Sequence, residues 1–517
     1  MKRVTLVQLM KITSMELLSQ SEQLEILASL FDLAHDHSSE QGLEHGINLA
    51  GQIEMDKLVD ENYTLINYFL ANAWSSKRKI KYAESAQGWQ FQIEELENEI
   101  LCLRRAINST GFNGLDSNRQ CQMYTNLAGS LNFIGRFVEA QQYWNKALAI
   151  LPDFAMAIGN KANGLSYYGK VLFDTIHANL FQVFAYHYFV AALKYGDSLH
   201  IEAKEGFRYY RDYLGSYIGR NFHDSYLKRF PDLDDFDLGD NQALKNYRLW
   251  CLENQLFINP LNDLGPFARA SHDCLHLPTL TLSVKRAPVS LNLYNQVKQE
   301  FGTARYSFFQ YQSTAGKHLS DIDIPLIDTM ESICYSYSIE QLKIAFRLSY
   351  SILDKIAYLL NDYLDLHIKP SKVSFRGLWY EKEDKMILRD FFTKSENWAL
   401  RGLFWLSKDL YEKNRDFDTV LDPEAKEIAL IRNYIEHKGF KVVSDRPLLP
   451  NFFTEEDISY AISKRDFEAK TLNLLKLTRA AIIYLAIAIV HEERRRDHSG
   501  KPSYPVQSGI VPDFLRG

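Results

Sequence analysis

The chain has little of several features that mark whole classes of protein. Its 517 residues carry a formal net charge of −6, so no overall basic character points to nucleic acid, and any RNA site must be a local patch. The five cysteines are scattered, odd in number and without a C-x-x-C pair. This pattern predicts buried thiols in a reducing compartment.

Export signals and long apolar runs are also missing. The N-terminus starts basic, but no long apolar core with a small-residue cleavage site follows, so we expect no signal peptide. The longest apolar run, residues 480–490, has about half the length that a membrane-spanning helix needs. It predicts a buried core helix, and we expect a cytoplasmic protein with no membrane partner.

Familiar catalytic and metal-binding signatures are absent as well. The sequence lacks G-x-x-x-x-G-K-[ST], G-x-S-x-G, H-E-x-x-H and the Rossmann glycine pattern. His272, Cys274 and His276 would share one side of an extended chain, but no fourth zinc ligand is evident. The acidic cluster at 232–240 lacks the glycine and glutamate of a calcium loop and predicts a solvated turn. We therefore expect no metal and no cofactor.

What is present indicates a folded, helical protein. Hydrophobic residues make up 46% of the chain and aromatic residues 13%. The length allows two or three domains with ample core. Over residues 1–235 proline is rare and no strand-like alternation persists, so this half is predicted to be almost wholly helical.

The clearest repeat lies at residues 124–152, where small and large side chains fall on the positions of a 34-residue TPR unit. Ala128 and Ala140 would let paired helices approach closely, and Pro152 would end the second helix. Weaker neighbouring units predict a short solenoid of roughly four or five repeats. Such arrays usually bind peptides, partner proteins or their own catalytic domain, and a purely structural role is equally open.

The string R-N-Y-I-E-H at residues 432–437 stands at the end of a short predicted helix in the C-terminal half of the chain. Asp422 is a suitable N-cap, Pro423 a suitable first residue and Gly439 a suitable left-handed cap. These signals predict a helix over about 423–437. Its apolar stripe recurs at helical spacing and comprises Ala425, Ile428, Ile431 and Ile435.

Three polar side chains of this helix could handle one phosphate. Asn433 and His437 are four residues apart and share a face, and Arg432 is long enough to reach the same side. Guanidinium holds phosphate oxygens bidentately, and imidazole moves protons near neutral pH. Two simpler interpretations stay open. Arg432 and Glu436 could form a surface ion pair, and His437 could only cap free carbonyls.

With Asn directly after Arg, the string resembles the signature of the HEPN superfamily of small helical domains, many of which are metal-independent RNases. The flanking order agrees, because a long helix containing residues 348–357 precedes the string and a long apolar helix follows it. The match looks closest to the bacterial branch that carries TPR-like repeats before the HEPN domain.

The repeat pattern and this resemblance together predict an all-α fold. The predicted divisions are a TPR-like solenoid at 1–235, an aromatic-rich connector at 236–290, a HEPN bundle at 291–496 and a mobile tail at 497–517. We expect the connector to pack against both of its neighbours. Besides the motif helix, the bundle is predicted to contain helices at about 291–311, 339–363, 398–411 and 455–495.

The resemblance also implies a reaction in which the 2′-hydroxyl of RNA is the nucleophile. His437 would transfer a proton to or from that hydroxyl or the leaving 5′ oxygen. Arg432 would hold the phosphate and stabilise developing charge, and Asn433 would orient the histidine or a phosphate oxygen. The products would be a 2′,3′-cyclic phosphate and a 5′-hydroxyl. Such enzymes often cut tRNA as toxins or antiviral effectors.

Further residues are candidates for supporting roles. A local patch that binds the RNA backbone could include Lys438, Lys441, Lys372 and Arg376. Arg347 and Asp354 share a helix face and could buttress the motif, although ordinary surface charges are slightly favoured for them.

Two expectations concern partners. HEPN domains usually face each other in pairs, which implies a homodimer, and the repeat array could bind a protein partner or antitoxin. The alternative function is a non-catalytic TPR scaffold whose HEPN domain serves in dimerisation or nucleotide binding.

Overall fold

In the computed structural model the chain is all-α, as predicted, with a few two-stranded pairings. The structure describes residues 5–83, 85, 89–196, 199–222, 224–283, 287–314, 316–383, 385–410, 421–445, 458–496, 503–506 and 511–516.

The N-terminal half consists of helices that pack in consecutive pairs, α2 with α3, α4 with α5, α6 with α7, and α8 with α9. Polar N-caps start several of them. For example, the Ser19 side chain accepts a hydrogen bond from the N–H of Glu22. The helices are α1 (Leu6–Leu9), α2 (Gln20–Asp36), α3 (Glu40–Ala50), α4 (Asp60–Lys81), α5 (Glu94–Asn108), α6 (Ser117–Phe133), α7 (Phe137–Ile150), α8 (Ala155–Val171), α9 (Thr175–Lys194), α10 (Ile201–Asn221) and α11 (Ser225–Lys228).

The predicted repeat corresponds to the pair α6 and α7. Ala128 and Ala140 are fully buried, and Trp144 is buried beside them. Helix α7 ends at Ile150, two residues before Pro152. This paired arrangement suggests a TPR-like array, and the number and type of the repeats stay a prediction.

The connector and the C-terminal region contain longer helices and the strands. The helices are α12 (Gln242–Glu253), α13 (Val289–Ser313), α14 (Tyr337–Tyr363), α15 (Asp390–Thr393), α16 (Trp398–Ser407), α17 (Ala425–His437) and α18 (Lys464–Arg495). The strands are β1 (Leu280–Ser283), β2 (Tyr380–Lys382), β3 (Ile387–Leu388), β4 (Gly439–Val443), β5 (Ser459–Ser463) and β6 (Ser503–Val506). Strand β1 pairs antiparallel with β6, β2 antiparallel with β3, and β4 parallel with β5.

Two predicted helices differ from the observed ones. The last helix begins at Lys464 instead of 455, because residues 459–463 pair with β4 and Ser463 then caps α18. Backbone pairing with a distant segment overrides the local helix signals there. The helix predicted at 398–411 ends at Ser407. In the tail, residues 503–506 form a strand against β1, most of the remaining tail lies outside the described residues, and its mobility stays a prediction.

Helix α18 is the buried centre of the C-terminal region. Among the described residues it is the one helix long and apolar enough to cross a membrane, but 83% of its most apolar window is buried inside the protein. Residues 480–490 are almost completely covered, which confirms the predicted core helix.

From α4 onward, the helical array shares one hydrophobic core with the C-terminal region, whereas α1, α2 and α3 pack with part of α4 in a second, smaller core. Between them, the Asp409 carboxylate is buried against Arg104 at 2.5 Å and Arg136 at 2.6 Å. The backbones also approach closely: a Cβ on Gly135, whose φ is +90°, would lie 2.0 Å from the carbonyl oxygen of Trp398. Only glycine fits this contact, because both the conformation and the space exclude a side chain.

The connector packs against both neighbours, as expected. The Asp263 carboxylate accepts hydrogen bonds from the Tyr168 hydroxyl of α8 at 3.0 Å and from the Arg479 guanidinium of α18 at 2.7 Å. Arg479 is fully buried and also donates to the carbonyl oxygen of Asn259. These charge-assisted bonds join three segments that are distant in the sequence.

Candidate functional site

The motif helix α17 packs one face onto the core through Ala425, Ile428, Ile431 and Tyr434. Tyr434 replaces Ile435 in the predicted stripe, and Ile435 is only partly buried. The helix begins at Ala425 instead of Pro423. Asp422 accepts a hydrogen bond from the N–H of Glu424 at 2.9 Å, in a turn that precedes the helix.

The helix ends directly in a strand. Lys438 is extended, with φ −141°, and the N–H of Gly439 donates to the carbonyl oxygen of Ile458 at 2.9 Å. The predicted left-handed cap at Gly439 is therefore wrong. A Cβ at Gly439 would lie 3.2 Å from the Ile458 oxygen and 3.2 Å from the Ser459 Cβ, so glycine permits the close approach of the two strands.

The opposite face of α17 carries the polar side chains of the motif, all of them exposed to solvent: Arg432, Asn433, Glu436 and His437. The Arg432 guanidinium lies 4.9 Å from the centre of the Tyr350 ring and 3.8 Å from the Asp354 carboxylate. Asn433 and His437 lie one turn apart on this surface. Neither side chain has a hydrogen bond to another residue in the described ranges.

Glu436 is bound by Arg347 of α14. Arg347 donates to the two carboxylate oxygens of Glu436 at 2.9 and 3.0 Å. These hydrogen bonds lower the pKa of Glu436. Both carboxylate oxygens of Glu436 therefore accept hydrogen bonds from Arg347 of α14 and not from Arg432.

The α14 residues that contact the motif helix lie on one face of α14. Arg347, which binds Glu436, is followed at three and four residues by Tyr350 and Asp354, which contact Arg432. Residue 347 lies beside 436 and residue 354 beside 432, so α14 and α17 run antiparallel. The structure therefore places the two candidate supporting residues, Arg347 and Asp354, against the motif helix. Sequence reasoning missed Tyr350, although its spacing on this face is a signal that could have indicated it.

The first turn of α17 is fixed to α18 by Lys470. Its ammonium group lies 3.1 Å from Glu424 and 2.9 Å from Glu427. Burial disfavours the charged form, but the two carboxylates outweigh it and raise the pKa of Lys470. The Tyr460 hydroxyl of β5 also donates to Glu427 at 2.9 Å. The exposed motif therefore projects from a helix held at its beginning and along its length.

The four candidate RNA-binding residues fall into different environments. Lys438 is exposed, 4.8 Å from the centre of the Tyr434 ring, and Lys372 is exposed in the turn that follows α14. Lys441 of β4 forms an ion pair with Glu331 at 3.1 Å.

Arg376 is fully buried, so its assignment to an exposed RNA-binding patch is wrong. The residues around it, Phe375, Leu378 and Trp379, are buried and carry it into the core. Its guanidinium donates to the carbonyl oxygen of Ser407, the last residue of α16, at 3.0 Å. There it satisfies a free carbonyl at a helix C-terminus.

Among the described residues, no three His, Cys, Asp or Glu side chains are grouped so that they could hold a metal ion.

The helical fold, the R-N-Y-I-E-H helix and a matching family model together identify the C-terminal region as a HEPN domain. The matching model is that of the LA2681-like HEPN family, and it covers residues 281–493. The match begins within β1, upstream of the predicted boundary at 291. Comparison with curated proteins and with solved structures gave no significant match. HEPN domains are often RNases, so the family suggests an RNase or another nucleotide-related function.

Proposed function

We propose that this protein is a metal-independent endoribonuclease and that Arg432, Asn433 and His437 form its RNA site. One observation carries the proposal. In a HEPN domain, these three side chains are exposed together at the end of one helix, and their arginine is held by Tyr350 and Asp354 of a neighbouring helix.

The proposed step is an internal transfer of the phosphate. The 2′-oxygen forms a bond to phosphorus, and the bond from phosphorus to the 5′ oxygen breaks. The 2′-hydroxyl loses a proton and the leaving oxygen gains one, and His437 handles one of these transfers. The products are a 2′,3′-cyclic phosphate and a 5′-hydroxyl end.

Arg432 is suited to hold the phosphate. Its ion pair with Asp354 is long, at 3.8 Å, and both side chains are partly exposed. Such pairs contribute only about 0–1 kcal/mol, so a phosphate group can replace the carboxylate. The Tyr350 ring keeps the guanidinium in place during this exchange. Asn433 would orient the imidazole or a phosphate oxygen.

A second copy of the chain would complete the site. Each chain carries one R-N-Y-I-E-H motif, and the resemblance implies that two HEPN domains face each other to form one cleft. We propose a cytoplasmic homodimer that acts as a toxin or antiviral effector, with tRNA or another structured RNA as substrate. The exposed Lys438 and the ion-paired Lys441 would contact the RNA backbone near the motif.

The test is cleavage of total tRNA by purified protein in excess EDTA, resolved on a denaturing gel. We expect discrete fragments from the wild type and none from His437→Ala, because a missing proton-transfer group costs about 10²- to 10⁴-fold in rate. His37→Ala is the matched control, since His37 is an exposed histidine at the end of α2. End-group analysis of the fragments then tests for the cyclic phosphate.

The other outcomes are equally informative. Fragments from wild type and His437→Ala alike would contradict the assignment of His437. An intact dimer that binds nucleotide but yields no fragments from any RNA would favour the non-catalytic scaffold.

A further inference from the structure

Helix α13 presents an exposed surface without charge. The structure describes the whole of α13, and none of its nine exposed residues is charged, although charged residues make up 24% of the chain. The exposed residues in its middle part are Asn292, Asn295, Gln296, Gln299, Thr303 and Tyr306. Solvated helix faces normally carry charge, as α10 does with Glu202, Glu205 and Arg208. The neutral face of α13, residues 292–313, is therefore not an ordinary solvated surface.

The three charged residues of α13 are held by other parts of the chain. The Lys298 ammonium group donates to the carbonyl oxygen of Asp273 at 3.1 Å. Arg305 is buried and donates to the Asp273 carboxylate at 2.8 Å. Glu300 forms an ion pair with Lys355 of α14. These partners lie on the inner side and the flank of the helix, so the outer face remains neutral.

Aromatic side chains extend the neutral face near its C-terminal end. The Tyr306 ring is 46% exposed and lies 5.2 Å from the Tyr247 ring of α12. The Phe309 ring lies 5.6 Å from Trp250, whose indole N–H donates to Gln312 at 2.7 Å. Enriched aromatic residues and depleted charge are features of the centre of protein–protein interfaces. An RNA ligand is disfavoured, because the exposed residues of α13 offer no cation to its phosphates.

The chemistry of the neutral face fits a second copy of the same face. A two-fold interface brings the same patch of both copies together, so a patch with charge of one sign would repel itself. A neutral patch avoids this repulsion. Each side-chain amide carries both donors and an acceptor, so asparagine and glutamine can pair with their own kind. Asn292, Asn295, Gln296 and Gln299 supply such groups along two turns of the helix.

A glycine lies where two copies of α13 would cross. Gly302 follows Phe301, the middle residue of the helix, and a Cβ added at Gly302 would meet no atom within 4 Å. Another helix can therefore approach the backbone closely at this point. In an antiparallel crossing centred between Gly302 and Thr303, Gln299 of each copy faces Tyr306 of the other. The amide-rich half of one face thus meets the aromatic half of the second.

We propose that two copies of the chain associate through the neutral faces of α13, packed antiparallel about a two-fold axis beside Gly302 and Thr303. The amides of one copy pair with polar groups of the other, and the aromatic residues around Tyr306 cover the apolar part of the contact. This interface uses none of the motif residues, so it does not rest on the proposed RNA cleavage. It is also distinct from the pairing proposed beside the motif.

The first test places charge at the axis. Thr303→Arg and Thr303→Glu each set two like charges against each other and should weaken association at least about tenfold. Light scattering should then give at most half of the wild-type mass, whether α13 alone joins the copies or the motif regions pair as well. An equimolar mixture of the two variants should restore the wild-type mass, because opposite charges then meet.

The matched control is Ser216→Arg, at an exposed position of α10, which should keep the wild-type mass. Thermal melting checks the fold of the charge variants. It should be preserved, because Thr303 is exposed and its hydroxyl donates only to the backbone of its own helix, at 3.0 Å from the Gln299 oxygen.

The second test is disulfide crosslinking under mild oxidation. Thr303→Cys lies beside the axis and should link two chains. Asn295→Cys lies on the same face but about 11 Å from the axis along the helix, which is too far from its own copy for a disulfide. The wild type, with its five native cysteines, gives the background.

Four results would overturn the proposal. These are a monomeric wild type, a wild-type mass in Thr303→Arg, a mixture of the charge variants that stays at the reduced mass, and equal crosslinking of Asn295→Cys and Thr303→Cys. A monomeric wild type would assign the neutral face to a different protein.

Discussion

Arg432 is a half-exposed side chain whose position depends on two residues from another helix. The Tyr350 ring lies under its guanidinium, and the Asp354 carboxylate lies 3.8 Å away. A guanidinium combines a flat face for the ring with a planar fork of donors that binds a carboxylate or phosphate through two bonds, whereas an ammonium group has donors but neither the flat face nor the fork. The geometry therefore favours arginine at this position, and a positive charge alone would not make both contacts.

Arg432→Ala and Arg432→Lys should each reduce RNA cleavage by about 10²- to 10³-fold, the usual cost of removing one charge-stabilising donor. Neither should unfold the protein, because Arg432 is exposed and its ion pair is weak. Initial rates of tRNA cleavage and thermal melting provide the two measurements. Wild-type activity in Arg432→Lys would show that charge alone suffices.

At the scale of elements, the motif helix is positioned by three others. Its buried face packs on the core, Lys470 of α18 holds its first turn, and α14 supplies two ion pairs along its exposed side. Strand β4 follows it after one extended residue and pairs with β5. The helix therefore presents its last turn to solvent without the freedom of a loop.

The Arg347–Glu436 pair should contribute a small, pH-dependent stabilisation. Both side chains are partly exposed, so a double-mutant cycle with Arg347→Ala and Glu436→Ala should give a coupling of about 0.2–1 kcal/mol. Because the pair lowers the pKa of Glu436, the coupling should be present above the unfolded value near pH 4.3 and be lost as the pH falls through the lowered pKa. Urea denaturation at pH 7 and at a pH below the lowered pKa of Glu436 measures both. A coupling that persists at the lower pH would contradict the electrostatic origin.

At the scale of the whole molecule, buried charges join the array to the HEPN domain. The Asp409 carboxylate lies between Arg104 of α5 and Arg136, the residue that precedes α7. Next to it, Lys408 forms an ion pair with Glu97 of α5. The backbone contact between Gly135 and Trp398 reinforces this junction. The array from α4 onward therefore forms one continuous core with the HEPN domain, so separating the two parts would expose paired charges as well as apolar surface.

Asp409→Asn should destabilise the whole protein by about 3–5 kcal/mol, because it removes the carboxylate that pairs with buried Arg104 and leaves buried Arg136 with Glu139 alone. Urea unfolding of the variant measures this loss. The matched control is Asp390→Asn, whose exposed pair with Lys394 should change stability by less than about 0.5 kcal/mol.

The same carboxylate predicts a pH dependence. Burial favours its neutral form, but Arg104 and Arg136 outweigh burial and lower the pKa of Asp409. Its contribution should be present above the unfolded value near pH 3.9 and be lost as the pH falls through the lowered pKa. Equal stability of wild type and Asp409→Asn at pH 7 would contradict this account.

Local signals in the sequence determined the helical class and the approximate bounds of several C-terminal helices. Apolar periodicity predicted the second bundle helix at 339–363, and the structure has Tyr337–Tyr363. The all-α fold and the HEPN domain are confirmed, and the roles of Arg432, Asn433 and His437 stay predictions. The helical pattern follows from spacing along a single chain segment, which the sequence displays directly, whereas the HEPN assignment came from the resemblance of the motif and its flanking helices to that family.

Only the tertiary structure decided which segments meet. It buried Arg376, turned residues 459–463 into a strand and placed Arg347 against Glu436 instead of leaving Glu436 to Arg432. It also joined the array to the HEPN domain through Asp409. Each of these outcomes depends on a partner far away in the sequence, and the free energy of burial or pairing is set by that partner and not by the local pattern.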